Sequence, residues 1–244
     1  MEEFLTTAFW LAVAQIILID IVLGGDNAVV IALACRNLPP KQKTQGIIYG
    51  TIGAIVLRVI LIAFALALLA VPYLKIVGAI LLLWIGVKLL LPEDEGAHEI
   101  NSSDKLWSAV KTVIVADLVM SVDNVLAIAG AAQGAGQQHQ MPLVIFGLLV
   151  SIPIIVWGSQ IVLKLMGRFP VIITLGAMLL GWIAGQMAVS DPALKAFLPA
   201  STTMEYKLIG YGAAVAGALF VYTLGRVLLG RRKQMPESPE RDAK

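Results

Sequence analysis

Seven apolar runs follow one another along this chain, at about residues 6–33, 45–70, 73–91, 107–130, 142–165, 170–189 and 207–229. Each is long enough, or nearly so, to cross the roughly 30 Å hydrocarbon core of a bilayer as a helix. The third and sixth are the shortest. Composition agrees, because only 14% of residues are charged where a soluble domain carries roughly 25%, and the mean hydropathy is +0.86. The expected fold class is therefore an all-α membrane protein with seven transmembrane helices, embedded in the lipid bilayer. The N-terminal "MEEFLTTAFW" lacks the basic region of a signal peptide, so the first run is read as a retained helix. A single cysteine, Cys35, excludes an intramolecular disulfide and a multi-cysteine metal site.

Lys and Arg orient the bundle. One set of connections carries Arg36, Lys41 and Lys43; Lys88, Lys105 and Lys111; Lys164 and Arg168; and Arg226, Arg231, Arg232 and Lys233. The alternate connections offer only Lys75, Lys195 and Lys207. The positive-inside rule makes the basic set cytoplasmic. Seven spans then put the N-terminus outside and the C-terminus in the cytoplasm. Residues 1–230 read as a single transmembrane domain, and the polar, Pro-containing stretch 231–244 as a disordered cytoplasmic tail.

The chain also repeats itself. At an offset of 97 residues Asp20, Asp26 and Asn27 fall on Asp117, Asp123 and Asn124, and Gly50 falls on Gly147. One residue further, "GAILLLWIG" (Gly78–Gly86) meets "GAMLLGWIA" (Gly176–Ala184). Repeat one covers about 5–91 and repeat two about 107–190, with an extra peripheral helix at about 207–229. Three spans per repeat is an odd number, so the second copy enters the membrane from the opposite side. Such inverted repeats are common in secondary transporters, whose substrate site lies at the midplane between the halves.

The repeated motif puts acids where they are expensive. Each intramembrane Asp costs about 2.5–3.5 kcal/mol on insertion scales, and Leu would pack better. Asp20, Asp26, Asp117 and Asp123 should therefore face the bundle interior and meet cations there. Helix–helix hydrogen bonding could be supplied by Asn27 and Asn124 alone, so it does not account for four acids. Residues six apart on a helix differ by about 120° in direction, so a regular helix cannot aim both acids of one copy at a single ion. Gly24 and Gly25 suggest a local break that would free backbone carbonyls beside the acids. In the second copy Ser121–Val122 replaces the glycines, and Ser121 offers a hydroxyl one turn after Asp117. Carboxylates, amides, hydroxyls and carbonyls suit a hard divalent ion such as Mg²⁺, Ca²⁺ or Mn²⁺. The two histidines, His98 and His139, sit in loops, which argues against a zinc- or copper-type centre. Upward-shifted buried carboxyls would make metal–proton exchange workable.

Arg58 stands alone deep in the second span and needs a partner. An ion pair with one of the four acids, gating or neutralising the site, is one reading; a snorkelling arginine is the other. Pro153 is expected to kink its helix. Trp84 and Trp182 read as packing or interface residues. Gln15, Gln160 and Gln186 are candidates for polar lining, and the acidic segment Glu93–Glu99 reads as a solvated linker.

"GGDNAVVIAL" in the first span and "SVDNVLAIAG" in the fourth resemble the TerC family of integral membrane proteins, in its YjbE-like subgroup. The resemblance covers about residues 5–230. That family is similar in plan to the LysE-type exporter superfamily, and several members are linked to manganese efflux. The resemblance implies Asp20, Asp26, Asn27, Asp117, Asp123 and Asn124 as metal-site residues, Mn²⁺ as substrate and a bacterial inner-membrane location. The expected function is then a secondary transporter exporting a divalent cation, with protons as counter-ion, no resident cofactor and no nucleic-acid partner. Homo-oligomerisation is left open. Competing readings are export of Ca²⁺ or a basic amino acid, a non-transport membrane partner protein, and a metal-dependent membrane enzyme. The last lacks a nucleophile–base pair beside the acids and is not expected.

Overall fold

A computed structural model of the protein describes residues 7–64, 71–91, 102–133 and 140–233. Seven α-helices run through them, with no strand among the described residues. They are α1 (Thr7–Cys35), α2 (Pro40–Ala63), α3 (Leu74–Leu90), α4 (Ser102–Gln133), α5 (Gln140–Arg168), α6 (Val171–Val189) and α7 (Met204–Lys233). The apolar runs become helices because hydrocarbon offers the backbone no hydrogen-bond partners. Residues 40–62, 144–168, 171–189 and 204–231 are each long and apolar enough to cross a membrane, and Gly25–Cys35 forms a shorter apolar stretch. The chain is a multi-pass membrane protein. Large apolar side chains such as Val56, Ile60, Leu149, Trp157, Leu208 and Leu219 stay exposed on the helix surfaces, as a lipid-facing exterior requires.

The helices are mostly longer than their apolar runs, because polar ends extend past the bilayer core. α1 has 29 residues and α4 has 32, or about 44 and 48 Å at 1.5 Å per residue. The two shortest apolar runs give the two shortest of the seven helices, with 17 residues in α3 and 19 in α6. Pro153 lies inside α5, which continues past it.

Helix pairing has a regular pattern. α1 packs on α5 and α2 on α4, while α3 lies against α6 and α1 against α4. The main core joins four helices through Val30 of α1, Leu82 and Ile85 of α3, Ala116 and Met120 of α4, and Leu180 and Met187 of α6. A second core sets Ile31 and Cys35 of α1 against Ile47 of α2, Val113 of α4 and Ile155 of α5. Cys35 is thus a small apolar core residue.

α7 joins the bundle through α6 and α3. The α6–α7 contact depends on small residues. A Cβ on Gly181 would collide with the backbone of Gly217 and Ala218, and one on Gly185 with the backbone of Ala213 and Ala214. This is the close approach that small residues four apart allow between membrane helices. α7 continues as helix through Arg231, Arg232 and Lys233, three residues into the stretch expected to be disordered. Basic side chains in a last turn suit the negative end of the helix dipole. The remaining tail, 234–244, and the acidic segment Glu93–Glu99 lie outside the described residues.

Charged groups from other elements hold both ends of α3. At its start Tyr73 has φ 65° and caps nothing with its side chain. The carboxylate of Asp191, from the loop after α6, accepts the backbone N–H of Tyr73 (2.9 Å), Lys75 (3.0 Å) and Ile76 (3.2 Å) instead, as well as that of Ala193 (2.7 Å). Burial pushes this carboxyl up, but the four N–H donors outweigh it and hold Asp191 below the usual carboxylate range. At the other end the Arg36 guanidinium donates to the carbonyls of Leu89 and Leu91. A carboxylate at the N-terminus and a cation at the C-terminus both complement the dipole.

Candidate functional site

The expected acids ride on α1 and α4, which pack together at the level of Val30, Ala116 and Met120. α1 is one continuous helix from Thr7 to Cys35. The break expected at Gly24–Gly25 is absent, so these glycines free no carbonyls for an ion. Two glycines weaken a helix by only about 1 kcal/mol each. The turns after them are held by buried contacts of Val30, Ile31, Ala32 and Leu33, which is enough to keep the helix intact. α4 is likewise continuous through Asp117–Asn124.

On α4 both carboxylate oxygens of Asp117 are engaged. Arg58 of α2 is 2% exposed, the largest side chain buried to that degree. Its Nη2 donates to Asp117 Oδ1 at 2.5 Å and its Nε to Ser121 Oγ at 3.1 Å. Ser121 Oγ in turn donates to Asp117 Oδ2 at 3.0 Å. The i, i+4 spacing of Asp117 and Ser121 stacks them on one face of α4, and the hydroxyl closes a three-membered ring of charge-assisted bonds. Of the four acids open to Arg58, Asp117 is the one with which it makes this pair.

On α1 the picture is the opposite. Asp26 is half-buried, and its Oδ1 accepts the backbone N–H of Asn27 at 2.9 Å. Asp26 lies within electrostatic reach of both Asp117 and Arg58. Asn27 is 4% exposed, yet its Oδ1 and Nδ2 have no hydrogen-bond partner among the described residues. An unpartnered buried polar group costs about 1–3 kcal/mol. The buried Thr51 hydroxyl of α2, two turns before Arg58, is in the same condition. Sequence reading passed over Thr51, although a seven-residue spacing from Arg58 places it on the same face of the helix.

The structure therefore joins Arg58, Asp117 and Ser121 in direct contact, with Asp26 in electrostatic reach of Asp117 and Arg58 and Asn27 next to Asp26. Asn124 is half-buried on α4. The side chains of Asp20 and Asp123 lie outside the described residues. Among the described residues no three His, Cys, Asp or Glu side chains form a metal-holding group. Gln15 and Gln186 are exposed rather than lining the interior, and Gln160 is half-buried. Their helices turn apolar residues toward the core and leave these amides on the outer face. Trp84 is exposed, with the Lys88 ammonium 5.3 Å from its ring centre, and Trp182 packs on Tyr211 of α7. Trp182 is thus a packing residue, and Trp84 lies on the outer surface.

The family model for the integral membrane protein TerC family matches residues 5–233. Among curated relatives, the "Uncharacterized membrane protein YjbE" of Bacillus subtilis is 43% identical over 197 residues, covering 81% of this chain and 88% of its own. "Uncharacterized membrane protein YkoY" of the same organism is 26% identical over 241 residues, covering 91% and 73%. "UPF0053 protein YegH" of Escherichia coli is 24% identical over 194 residues, covering 72% of this chain and 36% of that longer one. No solved structure matches. With paired Asp-Asn helices packed in one multi-pass bundle and a match over nearly its whole length, the chain belongs to the integral membrane protein TerC family.

Proposed function

We propose that this protein is a secondary transporter exporting a divalent metal cation, Mn²⁺ by the family resemblance, across the bacterial inner membrane in exchange for protons. The ion binds between α1 and α4, on Asp20, Asp26, Asn27, Asp117, Asp123 and Asn124, with Ser121 and Arg58 beside it. The observation that carries this reading is Asn27, buried beside Asp26 with two polar atoms unpartnered among the described residues. Such an arrangement costs stability in the empty protein. It is repaid when a ligand with both charge and coordination demand sits between the helices. The oxygen-rich set suits a hard ion.

Alternating access needs two halves that can rock. In favour of an inverted repeat, helix pairs exchange as a two-fold would have them exchange. α1 on α5 matches α4 on α2, while α3 with α6 and α1 with α4 pair across the axis. The 97-residue offset relates the same helices in sequence. In this reading all seven helices span the membrane, with the N-terminus outside and the basic end of α7 in the cytoplasm.

The test is Mn²⁺ flux into proteoliposomes that hold a metal-quenched dye, with and without a pH gradient. Saturable Mn²⁺ flux that rises with an opposing proton gradient is expected. Flux of a basic amino acid or Ca²⁺ in place of Mn²⁺ would reassign the substrate. No flux of any of these would reject a transporter in favour of a partner protein.

A further inference from the structure

The cation site already contains a cation. The Arg58 guanidinium rests on Asp117 at 2.5 Å and on Ser121 at 3.1 Å, and it lies within electrostatic reach of Asp26. The three side chains come from two helices that belong to different halves of the repeat, α2 and α4. We propose that Arg58 is a tethered competitor of the transported ion, occupying the Asp117 half of the site until a divalent cation displaces it, and returning to drive the ion off. This rests on the divalent-cation reading given above.

Three observations point this way. First, Asp117 has both oxygens engaged, Oδ1 by Arg58 and Oδ2 by Ser121. A metal ion can take this carboxylate only by breaking the ring. Second, the two halves differ in the way a competitor would make them differ. Asp117 on α4 is satisfied, whereas Asn27 on α1 has polar atoms unpartnered among the described residues. An incoming ion would meet Asp26 and Asn27 first and Asp117 last. Third, the arginine is present once. At the 97-residue offset Arg58 falls on Ile155, which packs in an apolar cluster with Ile31, Cys35 and Val113. A purely structural ion pair in a repeated scaffold would be expected twice, whereas one swinging charge serves one shared site.

Displacement is also physically reasonable. A displaced guanidinium must move to another anion or to water, because a buried charge left unpaired is strongly destabilising; Asp26 lies within its electrostatic reach. Arg keeps its charge at any accessible pH, so the competitor acts irrespective of protonation. Its long side chain allows the guanidinium to move by several ångströms without moving α2.

The experiment is an equilibrium Mn²⁺ titration of the full-length protein in mild detergent, read by the loss of the free-ion electron paramagnetic resonance signal. Wild type is compared with Arg58→Gln, Arg58→Lys and Ser121→Ala. Removing the charge should lower the dissociation constant at least tenfold. Lys should behave close to wild type. Ser121→Ala loosens the guanidinium without removing it and should tighten binding about twofold to threefold. If Arg58→Gln does not fold, Ser121→Ala decides, because only the competitor reading has it bind more tightly than wild type. A purely structural Arg58 would weaken or leave unchanged the binding in every variant, which overturns the competitor. If neither wild type nor Arg58→Gln binds Mn²⁺, the site reading itself fails. Binding by Arg58→Gln where wild type shows none would support the competitor directly.

Discussion

α1 and α4 pack together and carry the same Asp-x5-Asp-Asn pattern, and the described side chains of the two copies have opposite local fates. On α4, Asp117 sits in a ring with Arg58 and Ser121, and both carboxylate oxygens are engaged. On α1, Asp26 Oδ1 accepts the neighbouring backbone N–H of Asn27, and Asn27 is buried with its amide atoms unpartnered among the described residues. The difference teaches that a sequence repeat sets where chemistry is placed, while single substitutions at other positions set its state. At the 97-residue offset Arg58 stands opposite Ile155 and Ser121 opposite Gly24, so the residues that engage Asp117 have no counterpart in the other copy of the motif.

The largest effect should separate the halves by stability. Asp117→Asn leaves the Arg58 guanidinium buried without its carboxylate. Removing one partner of a buried pair costs about 3 kcal/mol or more. Asp26→Asn removes no ion pair of this kind and should stay within about 1 kcal/mol of wild type. Chemical denaturation in mild detergent measures both, and equal losses would erase the contrast between α1 and α4.

Next comes Asn27. Replacing it with Leu removes two unpartnered polar atoms at similar volume, so stability in metal-free buffer should hold or rise by about 1 kcal/mol. Mn²⁺ flux should fall at least tenfold. A destabilised Asn27→Leu would mean that the amide is satisfied in the resting protein, and the α1 half would lose its special status.

The smallest effect concerns the frame rather than the site. Asp191→Ala frees three backbone N–H groups at the start of α3 and should cost about 1–2 kcal/mol without changing Mn²⁺ affinity. The folded carboxyl titrates below its unfolded value. Its contribution is therefore complete above the unfolded pKa and disappears as the pH falls through the folded one. Between neutral pH and pH 5 the difference between Asp191→Ala and wild type should stay constant. A difference that shrinks over that interval would contradict the capping role.

Much of this architecture was legible in the residues. Long apolar runs and their polar punctuation fixed seven helices, and the short third and sixth runs became the short α3 and α6. The cost of burying charge singled out Arg58 and narrowed its partner to four acids. The choice of Asp117 depended on which helix packs on α2, and that pairing is a matter of tertiary contact. Gly24–Gly25 misled, because a propensity penalty of about 1 kcal/mol per glycine is smaller than the packing that holds the rest of α1. The role of Asp191 was out of reach. "SDP" signals a local turn, and nothing local shows that the same carboxylate caps a helix start more than a hundred residues earlier in the chain.

The central claim, that one cation is held jointly by the two unequal halves, is tested most directly by Mn²⁺ flux in proteoliposomes carrying Asp26→Asn or Asp117→Asn beside wild type. The account predicts that either single substitution lowers flux at least thirtyfold, although only Asp117→Asn lowers stability. Wild-type flux in a folded Asp26→Asn protein would contradict it, because the α1 half would then have no part in carrying the ion.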